Sequence, residues 1–548
     1  MLKKHFLLLL LMITLSALGL RLYQIGQVPH GMTWDEAAIG YNGWSVATVH
    51  RDEWLKFMPI SFKSFGDYKA PFAIYLNGLF TLVLGLKLWV IRLPFVLAGG
   101  LAVWGMALMT RQFLLLFIDQ KFWQKKSLLS VEALALLASF ALTISPWHFH
   151  FSRVGFESGL ALTQIIWALY FFFKAVISYK LRSKLEKNPR SIIFFLLSSI
   201  LFALSIYTYH STKLFTPLLV GFLILIGWRW FKLGWRYLVL FLVSFGFWLL
   251  PFFYDVLFGH GLERAGVTLF SQVDGVGNQL KLLGFNFIHQ LLPSFLLFGK
   301  VDTLRHGGLP FYVLLPGTFL VIIVGLLFWL ILRFKQIKYR QLDRAYLFAG
   351  FIVLVGLLPA VIGMIVPHPN RALLSLLGFL LLMILGWMSF GLWFDLRNFQ
   401  KKYLAVIFGA WLFIQVGFFA YDVFYYFHTY AKTSAESFND GYIQMMNEVI
   451  KYEKGLDNYP EVEKIIITSE YGQPYIYALI ARKTSPIDYH GGSLIKYRFP
   501  DVVNIDALSE KNALVVAGKQ ADLIDKTRAD KIIYNSAGEG VFWLFKTN

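Results

Sequence analysis

Lys3-Lys4, then the apolar run Phe6 to Leu20 (FLLLLLMITLSALGL), then Gly31-Met32-Thr33-Trp34-Asp35-Glu36-Ala37: this opening stretch decides the fold class. An apolar run behind two lysines reads as a membrane anchor with a cytoplasmic N-terminus, because Lys and Arg stay on the cytoplasmic side. The acidic pair Asp35-Glu36 then falls outside the cytoplasm, at the mouth of a span. Two carboxylates there are costly unless they meet water, a cation or a substrate. The run also fits a cleaved signal peptide, with its basic start and its Ser16-Ala17-Leu18-Gly19 end. A retained anchor suits a chain with many further spans better.

Those spans follow. Apolar segments recur near 93–110, 128–145, 157–176, 191–207, 213–229, 237–253, 311–332, 345–366, 372–394 and 403–422. With 5–22 they make eleven, each of roughly 17–22 residues, the length that crosses about 30 Å of hydrocarbon as a helix. Of 548 residues, 57% are hydrophobic and 15% charged, against about 25% charged in soluble domains; mean hydropathy is +0.59. A polytopic α-helical membrane protein of about 11 to 13 transmembrane helices is expected. The run Phe72 to Leu86, at about 15 residues, is short for a span and reads as re-entrant or interfacial.

A net charge of +19 does not point to nucleic acid here. The basic residues collect in short loops at 111–127 (with Lys121, Lys125 and Lys126), 174–190 (Lys174 to Arg190), 229–236, 333–344 and 395–402. There they face anionic lipid and fix topology. The absence of cysteine removes disulfides, thiol nucleophiles and thiolate metal sites together.

Two domains are expected. Residues 1–430 form the transmembrane domain, with long outer loops at 23–92 and 254–310, and 431–548 form a small extracytoplasmic α/β domain. In the latter, Ser434 to Lys454 reads as an amphipathic helix with Met445, Met446, Val449 and Ile450 on one side. The β-branched runs Lys464–Thr468, Ala513–Ala517, Lys531–Tyr534 and Val541–Phe545 read as buried strands, with no glycine-rich nucleotide fingerprint. A multi-pass plasma-membrane protein results, with its C-terminal domain extracytoplasmic.

On that topology, polar groups in or beside the outer loops share one face: Asp35 and Glu36, Asp67 and Lys69, Arg153 and Glu157, Tyr209, His210 and Lys213, Arg305 and His306, His368 and Arg371. Asp35 can cap a juxtamembrane helix or take a proton from an acceptor hydroxyl, a contribution of about 10²–10⁴ in rate. Lys69, ahead of Ala70-Pro71, can snorkel to headgroups or present a fixed ammonium to a phosphate. Arg153, Lys213, Arg305 and Arg371 are each either membrane anchors or cations for a departing lipid phosphate. In Pro367-His368-Pro369-Asn370-Arg371 two prolines stiffen a short loop. His210, His306 and His368 lack metal-ligand spacing, so no metal site is expected; no cofactor is certain, and a divalent cation is the open option.

An acidic pair after the first span, then Lys69-Ala70-Pro71 in the same loop, resembles the GT-C membrane glycosyltransferases. The resemblance is to the protein mannosyltransferase and aminoarabinose transferase branch, which uses polyprenyl-phosphate-linked sugars. Arg92-Leu93-Pro94, Ser145-Pro146 with Ser152-Arg153 and Glu157, Tyr207-x-Tyr209-His210-Ser211-x-Lys213, and Leu292 to Gly299 before Arg305-His306 extend the likeness. It implies that Asp35 is the catalytic base, that Glu36 supports it and that Lys69 contacts the donor phosphate. Two departures stand out: Ala70-Pro71 where the family often has two prolines, and Glu157 where Asp is common.

The resulting expectation is an inverting hexosyl- or pentosyltransferase. It would move a sugar from a polyprenyl phosphate to a protein, lipid or glycan acceptor at the outer membrane face. Asp35, Glu36 and Glu157 would be catalytic. Lys69, Arg153, Tyr209, His210, Lys213, Arg305, His306, His368 and Arg371 would bind substrate. The alternatives are a transporter or flippase for lipid-linked sugars, or a polymerase or ligase using diphosphate-linked oligosaccharides. Transport favours charges near span midpoints and matched halves, whereas these spans are nearly free of charge apart from Glu132.

Overall fold

The structure is a computed structural model that describes residues 2–118, 130–180, 189–231, 234–263, 266, 268–299, 301, 303–311, 313–334, 340–397 and 399–548. Much of the expected basic loops, including Lys121, Lys125 and Lys126, lies outside those residues.

Each of the eleven apolar segments contains a helix. Among the described residues, eight helices are long and apolar enough to cross a membrane: His5–Leu22, Leu88–Phe117, Glu157–Tyr179, Pro189–Ile206, Pro316–Phe334, Gln341–Val361, Ser375–Leu396 and Lys401–Thr433. The pair Trp235–Trp248 and Leu250–Phe258, bent by 43°, makes a ninth if it is one span. Pro251 sits in the first turn after that bend, where a proline cannot continue the preceding hydrogen-bond ladder. Val131–Thr143 and Thr212–Ile226 run to 13 and 15 residues, short of the roughly 20 that span hydrocarbon. Length and composition thus give eight or nine spans, against the eleven to thirteen expected. The run at 72–86 is the 14-residue helix Pro71–Leu84, only about 21 Å long at 1.5 Å per residue.

Two compact units divide the chain, each assembled from separate stretches: Met1–Tyr23 with Phe95–Tyr425, and Gln24–Pro94 with Tyr426–Asn548. The second division lies near the expected one at 430. The expected loop 23–92 differs: nearly all of it belongs with the C-terminal segment, and the core shows why. Met32, Ala37 and Tyr41 (the last two from helix Trp34–Val49), with Leu86 and Ile91, share one buried cluster with Met445, Ile465, Leu514 and Leu544.

In the first unit, helices approach through small residues, as membrane helices do. A side chain at Gly325 would meet the Gly386 backbone at 2.2 Å, which lets Pro316–Phe334 lie against the almost wholly buried Ser375–Leu396.

The second unit holds a hairpin of β1 (Phe62–Ser64) and β2 (Asp67–Lys69), and a five-stranded sheet. That sheet comprises β3 (Lys464–Ile467), β4 (Tyr497–Arg498), β5 (Ala513–Ala517), β6 (Lys531–Tyr534) and β7 (Gly540–Lys546), in the order β4-β3-β5-β7-β6. β3 runs parallel to β4 and β5, while β7 is antiparallel to β5 and β6. Successive strand side chains point to opposite faces. Accordingly Ile465, Ile467, Leu514 and Val516 enter the cluster shared with Trp34–Val49, and Ile466, Val515 and Ala517 enter a second one with Val503, Ile524 and Phe545. A sheet covered on both faces needs unbroken apolar strands, which is what made β3 and β5 legible.

Candidate active site

Helix Trp34–Val49 starts at a capping box. Thr33 Oγ1 accepts from the Glu36 amide at 3.1 Å, and Glu36 Oε2 accepts from the Thr33 amide at 3.1 Å. The two exchange bonds that satisfy the first free donors of the helix. The same Glu36 carboxylate takes the Arg92 guanidinium in a fork, from Nε at 2.7 Å and Nη2 at 3.2 Å. Arg92 Nη1 donates to the Ile25 and Pro29 carbonyls at 3.1 and 3.0 Å, and Nη2 to Gly31 at 2.9 Å. The five donor hydrogens of the fork therefore meet five acceptors. Arg92 is 0% exposed and Glu36 1%, so the pair is buried and holds the start of the helix in place.

Gly31 allows this arrangement. Its φ is +84°, and a side chain on it would strike the Phe438 carbonyl at 2.4 Å. Glycine alone tolerates both, and through it the loop 25–31 folds over the guanidinium.

With Glu36 fixed, Asp35 is set one residue earlier in the first turn, where the partial positive charge of the helix end favours a carboxylate. Its Oδ1 receives Lys69 Nζ at 2.5 Å, and its side chain stays 27% exposed against 9% for Lys69. The hairpin delivers that ammonium. Phe65 and Gly66 both have positive φ (+52° and +78°), the two-residue turn whose twist suits a hairpin, and register pairs Lys69 with Phe62. Ala70, extended at φ −69° and ψ 144° ahead of Pro71, ends the strand and starts the next helix. Lys69, expected on a phosphate, pairs here with Asp35.

The first unit holds the remaining expected residues. Tyr209, His210, Lys213 and Arg371 line one pocket of about 310 Å³ with Gly261, Thr268 and Gly363. Lys213 Nζ donates to the Gly261 carbonyl at 2.6 Å and lies 5.6 Å from the centre of the Phe252 ring. The Arg371 guanidinium lies against Gly363, where a side chain would collide with it at 2.3 Å, and no carboxylate pairs with it among the described residues. His368 caps the short turn Pro369–Ala372 by accepting from the Arg371 amide at 3.5 Å. Its ring centroid is 4.6 Å from that of His306, whose ring is 5.8 Å from Phe156, the neighbour of Glu157. The Arg305 carbonyl accepts from His150 Nε2 at 3.0 Å. Glu157 begins helix Glu157–Lys180 and is half-buried.

Arg153 departs from expectation. It is 0% exposed, and Nη1 donates to the Leu20 and Arg21 carbonyls at 3.0 and 2.8 Å, closing the last turn of helix Leu2–Leu22 as basic groups do at helix C-termini. Among the described residues no three His, Asp or Glu side chains gather to hold a metal ion.

Two buried residues were absent from the expected site. Arg92 was quoted only as part of a motif; a charge at the start of an apolar run must find a partner, and that was the available signal. Glu53, 0% exposed, had none.

No family model and no curated protein matches the chain. Solved structures do. ArnT from Cupriavidus metallidurans bound to undecaprenyl phosphate is similar over 97% of this chain and 97% of that one, with a TM-score of 0.51 and 13% identity. The Archaeoglobus fulgidus oligosaccharyltransferase tethered with an acceptor peptide containing the NVT sequon is similar over 98% of this chain and 74% of that one, at 0.55 and 15%. The archaeal oligosaccharyltransferase AglB from Archaeoglobus fulgidus, in complex with an inhibitory peptide and a dolichol-phosphate, gives 100%, 74%, 0.53 and 14%. Identities this low speak for the fold alone. In its fold, this multi-pass membrane chain is similar to ArnT and to the archaeal oligosaccharyltransferase.

Proposed function

We propose that the chain is an inverting glycosyltransferase that takes its sugar from a polyprenyl phosphate, with Asp35 as general base. One observation carries the reading: a part-exposed carboxylate at a helix N-terminus, fixed by a neighbouring Glu36–Arg92 pair and a lysine. The basic pocket of Tyr209, His210, Lys213 and Arg371 supports a phosphate-bearing donor. So do the undecaprenyl phosphate and dolichol-phosphate named for the similar structures.

In the proposed reaction the acceptor hydroxyl or amide gives its proton to Asp35 and attacks the anomeric carbon. The bond from that carbon to the lipid phosphate breaks, and the phosphate keeps the electron pair. For a phosphate held in their own pocket, Lys213 and Arg371 neutralise the charge that grows on it, which is where fixed cations lower a barrier most. Lys69 holds Asp35 in place before the acceptor arrives. Direct displacement with one base inverts the anomeric carbon. The distribution of Lys and Arg in the loops favours action on the extracytoplasmic side.

A radiolabelled polyprenyl-phosphate-sugar assay with the purified chain tests this. Asp35→Asn should lower release of free polyprenyl phosphate by roughly 10² or more with melting unchanged; near-normal turnover would refute the base.

A further inference from the structure

Glu53 is buried where no reaction step uses it. It follows helix Trp34–Val49 and precedes the hairpin that carries Lys69. Its amide donates to Asn42 Oδ1 at 2.9 Å, and its carbonyl accepts from His490 Nε2 at 2.9 Å. Carboxylate Oε1 accepts from Trp54 Nε1 at 3.0 Å and from the Tyr475 hydroxyl at 3.5 Å. Oε2 is buried with no partner. Tyr475 also stacks edge-on against Phe65 in the hairpin turn, at 6.0 Å. Trp54 Nε1 further reaches the Lys63 carbonyl of β1 at 3.2 Å. Residue 53 thus joins three pieces: the end of the helix that bears Asp35, the hairpin that bears Lys69, and the segment 475–490.

We propose that Glu53 is a positioning residue, held uncharged, whose carboxyl ties Trp54, and through it the Lys69 hairpin, to Tyr475 and so fixes the Lys69–Asp35 pair. The surroundings argue for the neutral form. Facing it are Asp52 from its own turn, Tyr41 and Asn42 from the helix, Tyr475 from Pro474–Arg482, and Tyr489 and His490 from the turn beyond. The charged neighbour among these is the carboxylate of Asp52, and no Lys or Arg pairs with Glu53 among the described residues. A neutral carboxyl leaves one hydroxyl short of a partner; an ionised one leaves a buried charge short of a counter-ion, which costs far more. Burial, with a smaller push from Asp52, raises this carboxyl to about 8.

The inference rests on the proposed function only in giving the Lys69–Asp35 pair a use, and its test needs no sugar transfer. The melting temperature of the full chain in detergent is followed from pH 5 to 9 for wild type and Glu53→Gln. The folded state holds a proton that the unfolded state releases near 4.5. The wild type should therefore lose stability as pH rises from about 5 to about 8 and no further above it. Glu53→Gln, an uncharged isostere, should lack that fall. At pH 9 an amine reagent read by mass spectrometry should label Lys69 severalfold more in wild type than in Glu53→Gln, with exposed Lys454 as the reference. Parallel melting curves, or equal Lys69 labelling, overturn the proposal. Should Glu53→Gln fail to fold, Asp52→Asn serves instead: it should end the fall at a lower pH, and an unmoved curve overturns the proposal.

Discussion

Removing the Arg92 guanidinium tests the frame on which Asp35 stands. Arg92→Met keeps much of the side chain's bulk and deletes five hydrogen bonds, two of them to Glu36. Glu36, at 1% exposure, would keep the Thr33 amide and hydroxyl but lose both bonds to the guanidinium. Breaking a buried pair on one side costs about 3–5 kcal/mol, because the surviving charge has no counterpart. The stranded carbonyls of Ile25, Pro29 and Gly31 add to that, at about 1 kcal/mol or more each if water cannot reach them. Such a sum rivals the whole stability of many domains. Thermal unfolding of the detergent-purified chain should show a markedly lower midpoint for Arg92→Met. Adding Glu36→Gln should then recover part of the loss, since the buried charge is gone and its amide still fits the cap. Coupling of this sign is what contacting residues give in a double-mutant cycle. A wild-type midpoint for Arg92→Met, or strictly additive losses in the double variant, would show that the pair does not hold the loop as described.

Further outcomes follow from other parts of the molecule. Gly31→Ala forces an L side chain to φ +84° and into the Phe438 carbonyl; a loss of about 1–3 kcal/mol is expected from the strain alone, read by the same melting experiment. Lys213→Ala and Arg371→Ala should each weaken donor binding roughly tenfold or more, as loss of a hydrogen bond to a charged group of about 1.5–3 kcal/mol implies; titration with polyprenyl phosphate at two salt concentrations measures it. For Glu53 the stability gap between Glu53→Gln and wild type should widen by up to about 1.4 kcal/mol per pH unit between pH 5 and 8, and then stay level.

How much of this could be read from the chain depended on range. The strands at 464–467 and 513–517 were legible because a sheet buried on both faces is written as consecutive apolar residues. β4, two residues long, and the hairpin 62–69, whose turn is Phe65-Gly66, left too little pattern to find. Asp35, Lys69, Tyr209, His210, Lys213 and Arg371 stand out in the sequence because each is a polar group beside an apolar run. Their partners do not. Glu36 meets Arg92 across 56 positions of sequence, and Arg153 reaches the Arg21 carbonyl across 132; sequence says that such charges need company without saying whose. The same holds for 24–94, whose membership of the C-terminal unit depends on which apolar face Met32, Ala37 and Tyr41 cover.

The interleaved make-up of the two units also sets an order of birth. Residues 24–94 leave the ribosome long before 426–548, with the whole of 95–425 synthesised in between. At about 5–20 residues per second that interval is on the order of tens of seconds. Through it Met32, Ala37 and Tyr41 wait without Met445, Ile465 and Leu514 to cover them, so the nascent loop needs a chaperone or the bilayer surface as a temporary roof. By the same logic the C-terminal stretch cannot be harvested by itself: expressed alone, it would show that apolar face to water and clump.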